Sequence, residues 1–193
     1  MTEPAAAWTT VRGRTPSQTI GPFFGFALPS ETGPLVVDAA AQGALWLRGR
    51  VLDGAGEPVP DGLVETWQAD TSGRYADAQV RDQAGRSFRG FGRCATDAAG
   101  RYAIRTVKPG ALRATDGTLQ APHIEVLFFA RGLLKRLMTR IYFADELAAN
   151  ARDPLLSMLD PPARATLLAV PSEDGYQFDI TLQGDHETAF FDV

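Results

Sequence analysis

Two residues in the chain could hold a metal side by side. In Ala121-Pro122-His123-Ile124-Glu125 an imidazole and a carboxylate stand two positions apart. In a strand that spacing puts both on one face. Imidazole and carboxylate oxygen both suit iron, yet a mononuclear site needs a third protein ligand. The only other histidine, His186, lies near the end of the chain. On the residues alone, a His–Glu pair on a polar sheet face is the favoured reading. Tyr75, just after Ser72-Gly73-Arg74, could serve as a phenolate ligand. More often a Tyr at a strand edge packs its ring and hydrogen-bonds its hydroxyl. Arg131 could clamp a carboxylate through both arms of its guanidinium, or could be a solvated loop arginine. Cys94 has no His near it in sequence, so it reads as a buried structural thiol rather than a nucleophile.

Other chemistries are excluded. There is no phosphate-binding loop with Lys-Ser/Thr, no dinucleotide fingerprint and no serine-hydrolase elbow. A formal charge of −4 argues against a generally basic nucleic-acid binder. One cysteine permits no intrachain disulfide and fits a reducing compartment. Met1 to Thr10 show no charged-then-apolar leader pattern, and apolar runs such as 126–130 fall far short of the roughly 20 residues a membrane helix needs. The expectation is a soluble, cytoplasmic protein.

The elements that must position these residues are short. The 193-residue chain has 19 Gly and 13 Pro, which favours a turn-rich, mostly β fold. Residues 1–43 show no sustained period and read as an irregular arm. Within it Phe23, Phe24 and Phe26 must bury against the core or a partner. From Ala44 the pattern alternates, predicting a strand that ends at the turn Asp53-Gly54-Ala55-Gly56. Residues 62–69 predict a second strand, closed by Asp70-Thr71-Ser72-Gly73. Residues 76–92 and 109–122 read as loops. Residues 101–107 predict a strand after Asp97-Ala98-Ala99-Gly100. Residues 123–130 and 133–143 predict a hairpin turning at Arg131-Gly132. A short helix is expected over 145–151. Asp153-Pro154 and Asp160-Pro161 each place a capping Asp before a Pro at the first helical position, so 154–159 reads as a helical turn. Residues 166–170 and 176–183 predict the last strands. At least seven strands favour an all-β fold, a β-sandwich spanning 44–193 with one or two short helices.

Several segments together resemble the intradiol ring-cleavage dioxygenases. They are Thr15-Pro16-Ser17-Gln18-Thr19-Ile20-Gly21-Pro22-Phe23, Gly49-Arg50-Val51-Leu52-Asp53, Glu65-Thr66-Trp67-Gln68-Ala69-Asp70 and Ser72-Gly73-Arg74-Tyr75. Further on come Phe91-Gly92-Arg93, Thr96-Asp97-Ala98-Ala99-Gly100-Arg101-Tyr102, Thr106-Val107-Lys108-Pro109-Gly110, Ala121-Pro122-His123-Ile124 and Ile141-Tyr142-Phe143. Their order along the chain, more than any one of them, is specific. The resemblance implies a β-sandwich and a reaction in which a catechol-type aromatic substrate is opened by dioxygen at Fe(III), held by two Tyr and two His.

The pattern breaks at the ligands. By the resemblance, Tyr75 matches the first Tyr ligand and His123 the first His. The second Tyr falls at Leu112 and the second His at Glu125, while an Arg just upstream of the first His is replaced by Gln120. Family enzymes can assemble from two kinds of chain. One bears the iron, and the other keeps the fold with a degenerate site. The resemblance therefore implies that this chain holds no metal and no catalytic residue of its own. It implies a homologous iron-bearing partner chain, in a higher-order oligomer, and a substrate pocket at their interface walled here by Thr19, Gly21, Pro22, Phe23 and Arg131. Two alternatives stand beside it: a stand-alone metalloenzyme using Tyr75, His123 and Glu125, and a non-catalytic transthyretin-like binding module.

Overall fold

A computed structural model describes residues 15–38, 40–76 and 88–192. In chain order the elements are α1 (Phe24–Ala27), β1 (Ala44–Leu52), β2 (Leu63–Gln68), β3 (Phe91–Ala95), β4 (Arg101–Val107), β5 (Leu112–Arg113), β6 (Leu119–Gln120), β7 (His123–Phe129) and β8 (Leu137–Phe143). Then come α2 (Leu147–Asn150), α3 (Pro154–Met158), α4 (Pro161–Ala165), β9 (Leu168–Ser172), β10 (Gly175–Gln177) and β11 (Ile180–Thr181).

Nine strands form one continuous ladder in the order β11-β1-β10-β9-β8-β7-β2-β3, with β4 also paired to β1. The ladder folds back through β9, so that two sheet halves face each other over one core. Leu47, Val51 and Ile104 from one half pack there with Val64, Val126, Phe128 and Ile141 from the other. The arm fills the seam where the two halves come round to meet. Arg93 of β3 donates its backbone N–H to Gly33, Arg105 of β4 donates to Pro34, and Val36 donates back to Arg105. Val36 is 1% exposed. The sandwich is thus nearly closed, with little free sheet edge.

Three turns share one construction. Asp53, Asp70 and Asp97 each accept N–H groups from the second and fourth residues onward. The third residue onward is a glycine at positive φ: Gly56, Gly73 and Gly100. Asp-x-x-Gly therefore encodes each reversal through side-chain acceptor and glycine together.

The structure revises several expectations. Residues 93–95, given no element in the sequence, join Phe91 and Gly92 in β3. Its signal is weak because Gly92 interrupts it, yet a Cβ there would come within 2.8 Å of both Thr66 Oγ1 and Val36 Cγ2. The loop expected over 109–122 contains the small β5–β6 hairpin, and 77–87 of the other expected loop lie outside the described residues. The strand expected to begin at 133 begins at Leu137. The last strand breaks between β10 and β11, where side chains take over from the ladder. The Tyr102 hydroxyl donates to the Phe178 carbonyl at 2.6 Å, and the Asp179 carboxylate accepts the Arg50 N–H at 2.9 Å. Gly49 permits that close approach, since a Cβ there would lie 1.7 Å from the Phe178 oxygen. Of the three arm phenylalanines only Phe24 is buried; Phe23 is 78% and Phe26 84% exposed.

Candidate functional site

The residues singled out in the sequence fall into two groups, on different parts of the molecule. The first lies where the arm crosses the β7–β8 hairpin. Thr19 Oγ1 accepts the N–H of Gly132 at 2.8 Å, which sets the arm beside Arg131. Gly132 and Gly21 both have positive φ, +88° and +70°. At Gly21 this frees the chain to turn, and Pro22 and Phe23 then lead into α1, where Phe23 is the N-cap. A groove of about 240 Å³ runs under this crossing, between Gln18 and Ile20 on the arm and Leu133, Leu134 and Arg136 on the hairpin. Sequence reasoning missed one neighbour: Arg131 is ion-paired with Asp61. That pair is well exposed, so its hold on the guanidinium is weak.

The second group sits on the β7–β8–β2 face. His123 and Glu125 share one side of β7, as their spacing requires. His123 is 5% exposed, and its Nδ1–H donates to the Ala121 carbonyl at 2.8 Å. Burial, helped by the charge of Arg140, holds its pKa below the ordinary value of 6.5. Tyr75 stacks on Trp67 with ring centroids 6.3 Å apart; burial, with the negative charge of Glu125, raises its pKa above 10.0. Leu112 pairs with Gln120 across the β5–β6 hairpin.

The residue that organises this group, Arg140, had no signal in the sequence. It faces Glu125 directly across the β7–β8 pair. Its Nη2 donates to Glu125 Oε1 at 3.0 Å and its Nη1 to Gln120 Oε1 at 3.4 Å. Burial opposes its charge, but the Tyr142 hydroxyl and the Glu125 carboxylate outweigh that and raise its pKa. Below, Asp153 is fully buried. It caps α3 by accepting from Leu155 and Leu156, and it also accepts the Ala121 N–H at 2.9 Å and the Tyr142 hydroxyl at 3.1 Å. The capping role was legible in the sequence; the link to the strand carrying His123 was not.

Cys94 is half-buried rather than buried as expected, because it lines a surface groove with Arg50, Asp97 and Arg101. Burial still pushes its pKa up, which disfavours the thiolate. No helix among the described residues is long and apolar enough to cross a membrane.

The family model described as Dioxygenase matches residues 20–184. The protocatechuate 3,4-dioxygenase alpha chain of Pseudomonas putida is 42% identical over 195 residues, 92% of this chain and 96% of that one.

The chain belongs to the intradiol dioxygenase family.

The protocatechuate 3,4-dioxygenase beta chain of Burkholderia cepacia is 39% identical over 152 residues, 72% of this chain and 64% of that one. Among solved structures, the dioxygenase domain of a carbohydrate-binding fusion protein from Streptomyces sp. SirexAA-E superimposes with a TM-score of 0.60. It is 30% identical, with 92% of this chain and all of that chain covered. Intradiol dioxygenases are iron enzymes, so the second group can be tested as an iron site. It does not fit. Leu112 offers no donor atom, the Glu125 carboxylate is engaged by a guanidinium, and His123 has only Nε2 left. Among the described residues no cluster of three or more His, Cys, Asp or Glu is placed to hold a metal ion.

Proposed function

We propose that this chain is the alpha, non-iron chain of a protocatechuate 3,4-dioxygenase, which joins O2 to protocatechuate to give 3-carboxy-cis,cis-muconate. It works beside a homologous beta chain, in an oligomer of such pairs. The observation that carries this reading is the Arg140–Glu125 pair, seated where an intradiol dioxygenase needs ligands. Similarity to an alpha chain over nearly the full length of both supports it. The iron, and with it the oxygen chemistry, belongs to the beta chain.

This chain's part is to bind and enclose. Thr19, Gly21, Pro22 and Phe23 on the arm (1–43), with Arg131 on the β7–β8 turn, form its wall of the pocket, and the arm packs on the core and on the partner. Gly21 and Pro22 bring backbone close to the substrate. Phe23, exposed here, covers the ring and excludes water. Arg131 supplies positive charge for the substrate carboxylate, which competes with Asp61 for the guanidinium. Cys94 as a lone thiol fits the cytoplasm.

The test is expression of the full chain alone and together with a beta chain, measuring iron, the visible tyrosinate-to-iron band and protocatechuate-dependent O2 uptake. The chain alone should be colourless, metal-free and inactive, and the pair should show all three. Stoichiometric iron and ring cleavage by this chain alone would overturn the reading. In that case Tyr75, His123 and Glu125 would be a working metal site.

A further inference from the structure

We propose that the Arg140 guanidinium is the resident cation of the Tyr75–His123–Glu125 cluster and the group that closes it to metal. The proposal rests on the reading that this chain carries no iron, and it goes further by saying what holds the site in that state.

Loss of one ligand, at Leu112, does not by itself abolish metal binding. Tyr75, His123 and Glu125 still provide a phenol oxygen, an imidazole nitrogen and a carboxylate, and three protein donors with water complete many metal sites. Closure needs a further cause, and β8 supplies one. Arg140 projects from the residue directly opposite Glu125 and spans Glu125 and Gln120 with two N–H groups. The pair is largely sheltered, with side-chain exposures of 14% for Arg140 and 25% for Glu125.

An incoming metal ion meets two obstacles there. It must break the charge-assisted bond that occupies its only carboxylate donor. It must then sit beside a fixed positive charge in a partly desolvated place, where like-charge repulsion is weakly screened. The same charge faces the His123 ring, whose Nδ1 is already committed to Ala121. A guanidinium cannot escape by deprotonating. The cluster therefore keeps its positive centre, but that centre is covalently part of the chain. With Gln120 and Tyr142 as its other partners, it ties β6, β7 and β8 together much as an ion would.

The experiment uses the full chain, stripped with chelator and then equilibrated with Co(II) or, separately, with ferric citrate. Bound metal is measured after desalting, with the visible spectrum as a second readout. Wild type, Arg140→Gln, Arg140→Lys and the Arg140→Gln/Glu125→Gln double variant are compared. Far-UV circular dichroism and a thermal melt report folding. Removing the charge while freeing Glu125 should raise Co(II) affinity about 100-fold in Arg140→Gln, in line with the strength of close, weakly screened charge pairs. Ferric iron should then give a visible phenolate band from Tyr75. The double variant should lose most of that gain. Arg140→Lys keeps the charge but engages one carboxylate oxygen, and should show a gain of several-fold. Folded Arg140→Gln protein that takes up no more Co(II) than wild type overturns the proposal and leaves the iron-free reading intact. Stoichiometric Co(II) and iron in wild type overturn both. If Arg140→Gln does not fold, an Arg140→Lys variant indistinguishable from wild type overturns the proposal.

Discussion

The two groups of candidate residues are built in opposite ways. At the arm crossing, Thr19 Oγ1 makes a hydrogen bond to the hairpin, Arg131 holds an exposed ion pair, and Phe23 and Phe26 stand out in solvent. At the β7–β8 cluster, His123, Arg140, Tyr142 and Asp153 are largely enclosed and each has partners within the chain. The first surface is open to solvent. The second is largely taken up by its own contacts. The difference teaches that in this chain the residues around Glu125 serve as internal structure, while the exposed side chains gather on the arm.

Perturbing the enclosed region should have the largest effect. Asp153→Ala leaves the Ala121 and α3 N–H groups and the Tyr142 hydroxyl without their acceptor, at a cost of about 4 kcal/mol. For a chain of this size that lowers Tm by roughly 10 °C, measurable by calorimetry. Below that temperature, binding of the partner chain should be retained. A change confined to partner binding would show that the two regions are not separable.

Phe23→Ala should do the reverse. Truncating an exposed aromatic anchor should weaken assembly with the beta chain about 10- to 30-fold by titration, or about 1.5–2 kcal/mol. Tm of the isolated chain should stay within about 1 °C. Arg131→Ala should raise KM for protocatechuate about tenfold in the assembled enzyme, with iron content and isolated-chain stability unchanged, since an exposed ion pair contributes little. Unchanged kinetics would remove Arg131 from the pocket.

The smallest effect is on pH dependence. The folded pKa of His123 lies below 6.5, so between the two values the unfolded chain binds more protons than the folded one. Stability therefore falls as pH drops through about 6.5 and levels off once the folded pKa is passed. Urea titrations of wild type and His123→Gln between pH 7.5 and 5 should show this slope only in wild type. The same slope in both would assign it elsewhere.

What the sequence made legible was local or periodic. Alternation marked β1 and β2, and Asp-x-x-Gly marked the turns, because each is decided within a few residues. The same-face placement of His123 and Glu125 followed from strand period alone. Arg140 was invisible because its significance comes from strand register: only the β7–β8 pairing puts it opposite Glu125. β3 was hidden by Gly92, whose role is to let Val36 pack closely, a contact made from more than fifty positions away. The break after β10 was hidden too, since Tyr102 and Arg50 act there from other parts of the chain. Phe23 and Phe24 look equivalent in sequence, yet only the second turns inward.

The turn at Gly73 leans on the Pro109-Gly110 segment through backbone alone. A Cβ on Gly73 would lie 2.0 Å from the Ala111 carbonyl oxygen, and one on Gly110 would lie 2.6 Å from that of Thr71. The Asp70 carbonyl accepts the N–H groups of both glycines. Tyr75 and Leu112 each follow this interlock by two positions, so their places in space are set before their side chains are chosen. Such a frame lets the side chains at these two positions change without the chain losing its shape. Shape, in this region, is inherited separately from chemistry.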